Sequence, residues 1–425
     1  MSDIFAELQW RGLIHQTTND DNLQQWLNDS PRAMYIGFDP TADSLHVGSM
    51  LQLMTLRRFQ KAGHKTIALV GGATGMIGDP SGKSKERTLL DEDALQKNVD
   101  GLKNQMGQFL NFDGDNPCQL VNNVDWMGKF SYLEFLRDIG KNFPVNVMMA
   151  KDSVKSRLAG DTGISYTEFS YMLLQAYDFV HLNQAHGCEL QVGGSDQWGN
   201  ITAGIDLGRR MHSAQLFGIT SPLLTKADGT KMGKTESGAI WLDADKTSPY
   251  EFYQYWINTA DEDAGKCLRF LTELSEEEIV ELDKSRETDP GQKLSQKRLA
   301  EELTRLCHGD AGVTSAQQAA KVLFGGDMSG MDDKALGQIF ADVPSCEMER
   351  AKFDGEGYSV IDAFVDAGLC KSKGEARRTI KENGANVNNV RVTDEGAKLT
   401  LDDLASESCI VLRRGKKKYA LVRLV

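Results

Sequence analysis

No apolar run in this chain approaches the ~18 residues that a membrane span needs, and its opening residues, MSDIFAELQWRG, are polar and acidic. Neither a secretory leader nor a membrane anchor is expected, and the reading places the protein in the cytoplasm. Cysteine is sparse as well. The seven residues, at 118, 188, 267, 307, 346, 370 and 409, are odd in number, scattered and without a C-x-x-C pair. That excludes a disulfide framework and a thiolate zinc site, and no other ligand cluster suggests a stored metal. Low-complexity tracts are missing, and 40% hydrophobic with 26% charged residues is an ordinary globular composition. Nor is there an overall positive charge: the net of −13 repels nucleic acid on average, so any contact with it must be local.

The charge is uneven. From 351 to 425 there are 14 Lys and Arg against 11 Asp and Glu, while the remainder carries 34 against 50. A basic end on an acidic body suits an enzyme with a local RNA contact, and equally a mere basic patch. The length, 425 residues, allows two or three domains.

The stretch AMYIGFDPTADSLHVGS organises the rest. An apolar, β-prone run, Ala33 to Phe38, stops at Asp39-Pro40. A breaker-free apolar-periodic segment from Met50 to Phe59 follows His46-Val47-Gly48-Ser49, which reads as strand, loop, helix. A helix amino terminus offers unpaired N–H groups and a partial positive charge, and glycine there lets a phosphate approach closely. The same four residues also fit a plain glycine turn with a partly exposed histidine.

Thr66 to Gly72 reads as a second strand, completing a βαβ unit. GGATGMIGDPSGKSKER after it is expected to be a long mobile loop in which Lys83, Lys85 and Arg87 reach phosphates or are merely solvated. Cys118 to Val124 is a third candidate strand, and Asn142 to Met149 is either an oligomer contact or, on the safer reading, buried core. In the helix Thr167 to His181, Tyr171, Gln175 and Asp178 fall on one stripe of an otherwise apolar surface. Exposed stripes usually carry Lys and Glu, so this one is expected to line a pocket. Glu189 to Val192 is a fourth strand leading into GGSDQWGN and a helix from Ile201 to Met211; Asp228-Gly229 turns the chain into Lys231 and Lys234. A helix-rich region follows to about Gly325, then a Gly, Asp and Pro-rich connector. The final segment reads as an apolar helix, a turn with Lys371 and Lys373, a second helix carrying Arg377, Arg378 and Lys381, then a hairpin.

In order and spacing, YIGFDPTADSLHVGS, GGATGMIGDPSGK, SYMLLQAYD, GGSDQWGN and KADGTKMGKT resemble the bacterial tyrosyl-tRNA synthetase family over nearly the whole chain. H-x-G-S stands for the HIGH signature of class I aminoacyl-tRNA synthetases, and KMGKT for KMSKS. The resemblance implies an α/β protein: a Rossmann-like parallel-sheet catalytic domain (1–225), a signature loop and α-helical domain (226–325), a linker (326–352) and a small α+β RNA-binding domain like that of ribosomal small-subunit protein four (353–425). It implies ligation of L-tyrosine to tRNA(Tyr) through tyrosyl-adenylate, with ATP as substrate, Mg2+ accompanying it rather than held in a protein cage, and a homodimer.

By the same resemblance, Thr41, His46, Lys83, Arg87, Lys231, Lys234 and Thr235 act on the phosphates. Tyr35 and Asp178 meet the substrate phenol, Asp79, Tyr171 and Gln175 its ammonium group, and Gln197 lines the amino-acid site. Gly37, Asp39, His46, Gly48, Gly193, Asp196 and Lys234 face ATP. Ile36 and Ser49 stand where many relatives have cysteine and histidine, so those two contacts are not carried over. The alternatives are a tryptophanyl enzyme, with little use for a Tyr35/Asp178 pair, a small nucleotidyltransferase, which would lack the helical region and RNA tail, and an inactive RNA-binding scaffold. Retention of His46, Lys231, Lys234 and Asp178 speaks against the last.

Overall fold

The structure is a computed structural model that describes residues 3–18, 20–81, 92–160, 163–235, 238–328, 331–340, 343–416 and 418–425. Its contacts divide the chain into two units, one of residues 1–247 and 255–307, the other of 248–254 and 308–425.

The first unit is built on a six-stranded sheet of β1 (Gln16–Thr17), β2 (Ala33–Phe38), β3 (Lys65–Val70), β4 (Gln119–Asn122), β5 (Cys188–Gly194) and β6 (Phe217–Ser221), in the order β1-β6-β5-β2-β3-β4. All neighbours are parallel except β1, which runs antiparallel to β6 at the edge. From β2 the chain winds outward through β3 and β4, then returns to place β5 on the other side of β2. The strand order therefore reverses between β2 and β5, and a crevice must open beyond their carboxyl ends. β2 has the predicted bounds. β1 and β6 were not expected: β1 is too short to carry periodicity, and β6, FGITS, is brief and wholly buried, a pattern that alternation does not reveal.

Helices flank the sheet. Val47–Lys61 follows the histidine loop, Tyr166–His186 precedes β5 and Trp198–His212 follows it. Tyr35, Ile67, Leu69, Phe179 and Leu182 share one core cluster beneath Trp126. Two buried arginines fasten the helix Asp261–Leu271 to this layer. Arg11 donates to the carbonyls of Arg269, Thr272 and Leu274, and Arg58 to those of Phe270 and Thr272. They supply the cations and donors that a helix carboxyl end lacks. Burial lowers the Arg58 guanidinium to about 9.

Two expectations are corrected. The glycine segment after β3 is not wholly loop: Gly72–Gly75 is a helical turn whose Gly72 and Ala73 N–H groups donate to the side chains of Asn122 and Asn123 at 3.1 and 2.7 Å. Sequence signals for a loop were overridden by side-chain caps from a distant strand end. The segment Asn142–Met149 is core only in part: Met148 is buried with Val154, Met172 and Leu173, and Phe143 packs against them. Val145, Val147 and Met149 are exposed, as are Tyr132, Leu133, Leu158 and Tyr166.

The second unit contains a five-stranded sheet in the order Val390–Arg391, Ala385–Val387, Cys409–Arg414, Lys418–Leu424, Ser345–Met348. The stretch expected as connector thus contributes an edge strand, parallel to Lys418–Leu424. The helices Val360–Asp366 and Lys373–Lys381 pack Phe364, Ala376 and Ile380 onto Ile410, Leu412 and Val422. No helix among the described residues is long and apolar enough to cross a membrane.

Candidate active site

A cleft of about 350 Å3 opens at the carboxyl ends of β2 and β5. Its wall brings together Tyr35, Gly37, Asp39, His46, Gly48, Asp79, Tyr171, Gln175, Asp178, Gly193, Asp196, Gln197, Lys231 and Lys234. Residues spread over 200 positions of sequence meet because a parallel sheet delivers every strand end to the same edge.

The deep end is built around Asp178. Its carboxylate is buried and accepts hydrogen bonds from Trp126 Nε1 at 2.8 Å and Asn123 Nδ2 at 3.0 Å. Burial raises the carboxyl to about 7, against the two donors that pull it down. Burial, and then the Asp178 charge, raise the Tyr35 phenol well above its ordinary value, so it stays protonated. The Tyr35 hydroxyl is buried without a hydrogen-bond partner among the described residues. A buried hydroxyl is costly to leave unpaired, and beside a carboxylate it forms a ready socket for another hydroxyl.

The same cavity holds a network of carboxylates and amides. Asp79 accepts from Gln197 Nε2 at 2.6 Å and from the Ser81 N–H at 2.9 Å. Gln175 donates to Gln197 at 3.2 Å, and Asn200 donates to the Gln175 oxygen at 3.0 Å. Asp39 accepts from Thr74 Oγ1 at 2.9 Å and from the Tyr171 hydroxyl at 3.0 Å. This concentration of fixed negative charge suits a cationic group.

The mouth has the opposite sign. His46 is the N-cap of the Val47–Lys61 helix, in extended backbone with its side chain exposed. A Cβ on Gly48 would fall 2.8 Å from the His46 Cε1, so only glycine lets the imidazole lie over the helix start. Lys231 and Lys234 come to the same mouth, the chain crossing beside His46 through its bridge with Trp241. Imidazole, the positive end of the helix and two ammoniums make an anion site.

Not every expected residue reaches the wall. Thr41 is exposed and off it, its N–H bonded to the Asp39 carbonyl at 2.9 Å. Thr235 lies in the two-residue strand Lys234–Thr235, with its side chain outside the described residues, as are Lys83 and Arg87 altogether. In the second unit Lys371, Lys373, Arg377, Arg378 and Lys381 are all exposed, with Lys373 paired to Asp362 at 2.7 Å and Lys381 to Glu395 at 3.2 Å. Sequence reasoning missed Asn123, Trp126, Thr74 and Asn200. They lie on three separate segments; Thr74 falls inside GGATGMIGDPSGK and Asn200 inside GGSDQWGN, while Asn123 and Trp126, at the start of one short helix, carry no local signal.

Residues 27–325 match the family model described as tRNA synthetases class I (W and Y), and residues 335–422 match the tyrosine–tRNA ligase SYY-like C-terminal domain. With the fold and cleft, this makes the chain a class I aminoacyl-tRNA synthetase. Tyrosine–tRNA ligase from Rhodopirellula baltica is 62% identical over 423 residues, covering 100% of this chain and 97% of that one. The ligase from Geobacillus stearothermophilus is 52% identical, covering 99% of both. A C-terminally truncated mitochondrial tyrosyl-tRNA synthetase from Aspergillus nidulans superposes with a TM-score of 0.69 at 32% identity, over 76% of this chain and 95% of that one. The chain belongs to the tyrosine–tRNA ligase family: it activates tyrosine with ATP and joins it to tRNA.

Proposed function

We propose that the cleft carries out this ligation with its two ends in separate roles. The carrying observation is that Asp178, held by Asn123 and Trp126, and the His46 helix mouth line one cavity. L-tyrosine enters with its phenol between Tyr35 and Asp178 and its ammonium group among Asp79, Tyr171 and Gln175, with Gln197 alongside. ATP lies across Gly37, Asp39, Gly48, Gly193 and Asp196, its γ-phosphate met by Thr41 and His46, with Lys83, Arg87, Lys231, Lys234 and Thr235 acting on the leaving pyrophosphate. A carboxylate is already nucleophilic at neutral pH. It attacks the α-phosphorus, the bond to the β,γ-pyrophosphate breaks, and pyrophosphate leaves with the electron pair. The protein's part is positioning and stabilising charge on the phosphates. A terminal ribose hydroxyl of tRNA(Tyr) then displaces adenylate from the tyrosyl carbonyl.

Magnesium arrives with the ATP phosphates. Asp39 and Asp79 are already hydrogen-bonded to cleft side chains, which fits an ion carried by substrate, since Mg2+ favours phosphate and water over protein cages. The protein is cytoplasmic, consistent with seven free cysteines. It works as a homodimer through the apolar surface of Tyr132, Leu133, Val145 and Met149, four large side chains that solvent alone does not account for. Domain roles are proposed as 1–225 catalytic, 226–325 signature loop and helical, 326–352 connecting, and 353–425 RNA-binding through Lys371, Lys373, Arg377, Arg378 and Lys381. ATP–pyrophosphate exchange with each of twenty amino acids, followed by charging of tRNA(Tyr), tests the reading. Exchange with tyrosine alone supports it; exchange driven by tryptophan, or none, refutes it.

A further inference from the structure

The segment carrying Lys231 and Lys234 is fastened to its surroundings at three points. Lys266 Nζ donates to the Thr225 carbonyl at 2.8 Å, Cys267 Sγ lies 3.4 Å from Met232 Sδ, and the Gly233 N–H donates to the Tyr255 hydroxyl at 2.7 Å. The first two anchor the start and floor of the segment. The third falls on the residue between Met232 and Lys234.

Gly233 is a demanding position. Its φ is +82°, and a Cβ there would sit 2.8 Å from the Cβ of Val47, the first residue of the His46-capped helix. The backbone at Gly233 therefore rests directly on the helix mouth, where its height fixes how far the neighbouring ammoniums extend over bound phosphate. Its carbonyl accepts from the Ile240 N–H at 2.9 Å, so the Tyr255 hydroxyl completes the pairing of this peptide on its N–H side. Burial raises the Tyr255 phenol to about 12, which keeps it a neutral hydroxyl throughout the working pH range. Its ring is held edge-on to Trp256 at 4.9 Å, so the acceptor is fixed in place.

We propose that Tyr255 is a positioning residue for adenylate formation: by holding the Gly233 N–H it latches the signature segment against the helix mouth and sets Lys231 and Lys234 over the departing pyrophosphate. The latch rests on the proposed role of these two lysines. It is distinct from them, because Tyr255 does not line the cleft.

The test uses the full chain with Tyr255→Phe, which removes one oxygen and leaves the ring packing, and separately Lys234→Met. Tyrosine-dependent ATP–pyrophosphate exchange in Tyr255→Phe is expected to show kcat lowered about five-fold, the worth of one neutral hydrogen bond, with KM for tyrosine unchanged and the thermal midpoint lowered by no more than about 3 °C. Limited trypsin digestion, followed by mass at the bonds after Lys231 and Lys234, is expected to run about five-fold faster in the variant for the same reason. A residue that only supported the fold would lower the midpoint and leave kcat of the folded fraction alone. If Lys234→Met is impaired while Tyr255→Phe matches the parent in both exchange and cleavage, the latch is overturned. If Lys234→Met exchanges like the parent, the lysine reading beneath it fails instead.

Discussion

Replacing Asp178 by Asn separates binding chemistry from folding. Each carboxylate oxygen of Asp178 accepts from a different donor, Trp126 on Oδ1 and Asn123 on Oδ2. An amide has one acceptor, so whichever way it lies, its NH2 faces a donor and one charge-assisted hydrogen bond is lost, at about 1.5–3 kcal/mol. Against this stands relief of a buried charge. Holding the carboxyl at about 7 instead of its ordinary value of 3.8 destabilises the ionised folded state by about 4 kcal/mol, at 1.36 kcal/mol per tenfold. The two effects oppose each other, and the variant is expected to fold with stability within about 2 kcal/mol of the parent at pH 8. Recognition has no such offset. In the proposed pose the substrate phenol loses its charged acceptor, again about 1.5–3 kcal/mol, which lowers kcat/KM for tyrosine by about 10- to 150-fold.

The parent enzyme should show the same group by titration. Because the folded carboxyl is raised, the folded state binds more protons than the unfolded chain between about pH 4 and 7, and this contribution to stability falls as pH rises through that window. Tyrosine kcat/KM moves the other way, rising through about pH 7 as the acceptor ionises, and the Asn variant is expected to lack that inflection. The assay is tyrosine-dependent pyrophosphate exchange from pH 5.5 to 8.5, with urea unfolding alongside. Near-parental exchange in folded Asp178→Asn refutes the reasoning. In the proposed pose, rejection of phenylalanine belongs to the same socket: without the substrate hydroxyl the buried Tyr35 hydroxyl stays unpaired and Asp178 keeps only its two protein donors, and tyrosyl-tRNA synthetases are the established example of that effect.

Three further perturbations follow from the structure. Arg157 and Glu168 form a bidentate buried pair at 2.7 and 2.6 Å, so Glu168→Gln is expected to cost about 3–5 kcal/mol in urea unfolding, since it leaves a buried guanidinium uncompensated. Glu273, against the pull of burial, is lowered to about 2 by hydrogen bonds from Arg57 and Lys61. Its stabilisation is present above about pH 4.5 and lost as pH falls toward 2, and after solvent screening Glu273→Gln should remove about 1 kcal/mol at pH 7 and flatten the acid limb. Leu133→Asp places a charge on the exposed apolar surface. If the proposed homodimer uses that face, sedimentation shifts from dimer to monomer with the melting of the single chain unchanged, and an unaltered dimer excludes it.

Much of the architecture was legible in order along the chain. The strand Ala33–Phe38, the histidine at the helix mouth and the polar stripe on the helix before β5 each carry their signal within a few residues: a proline stop, a glycine beside an N-cap, a periodicity of 3.6. Other features depended on partners far away in sequence. Gly72–Gly75 reads as loop and is helical because Asn122 and Asn123 cap it, and Val145, an apolar residue that composition would bury, stands exposed. Asn123 and Trp126 gave no sign that they hold Asp178.

The chain's own letters settled the kinds of group available: a histidine before a glycine, an acid among apolar residues, lysines flanking a glycine. Local conformational preference acts over one turn or one strand, and that range suffices to write such groups into place on their elements. Which of them face one another was decided only when parallel strands brought their carboxyl ends to a common edge. Hydrogen bonding across that edge, from Tyr171 to Asp39 and from Gln197 to Asp79, joins positions more than a hundred residues apart, beyond the reach of any periodicity.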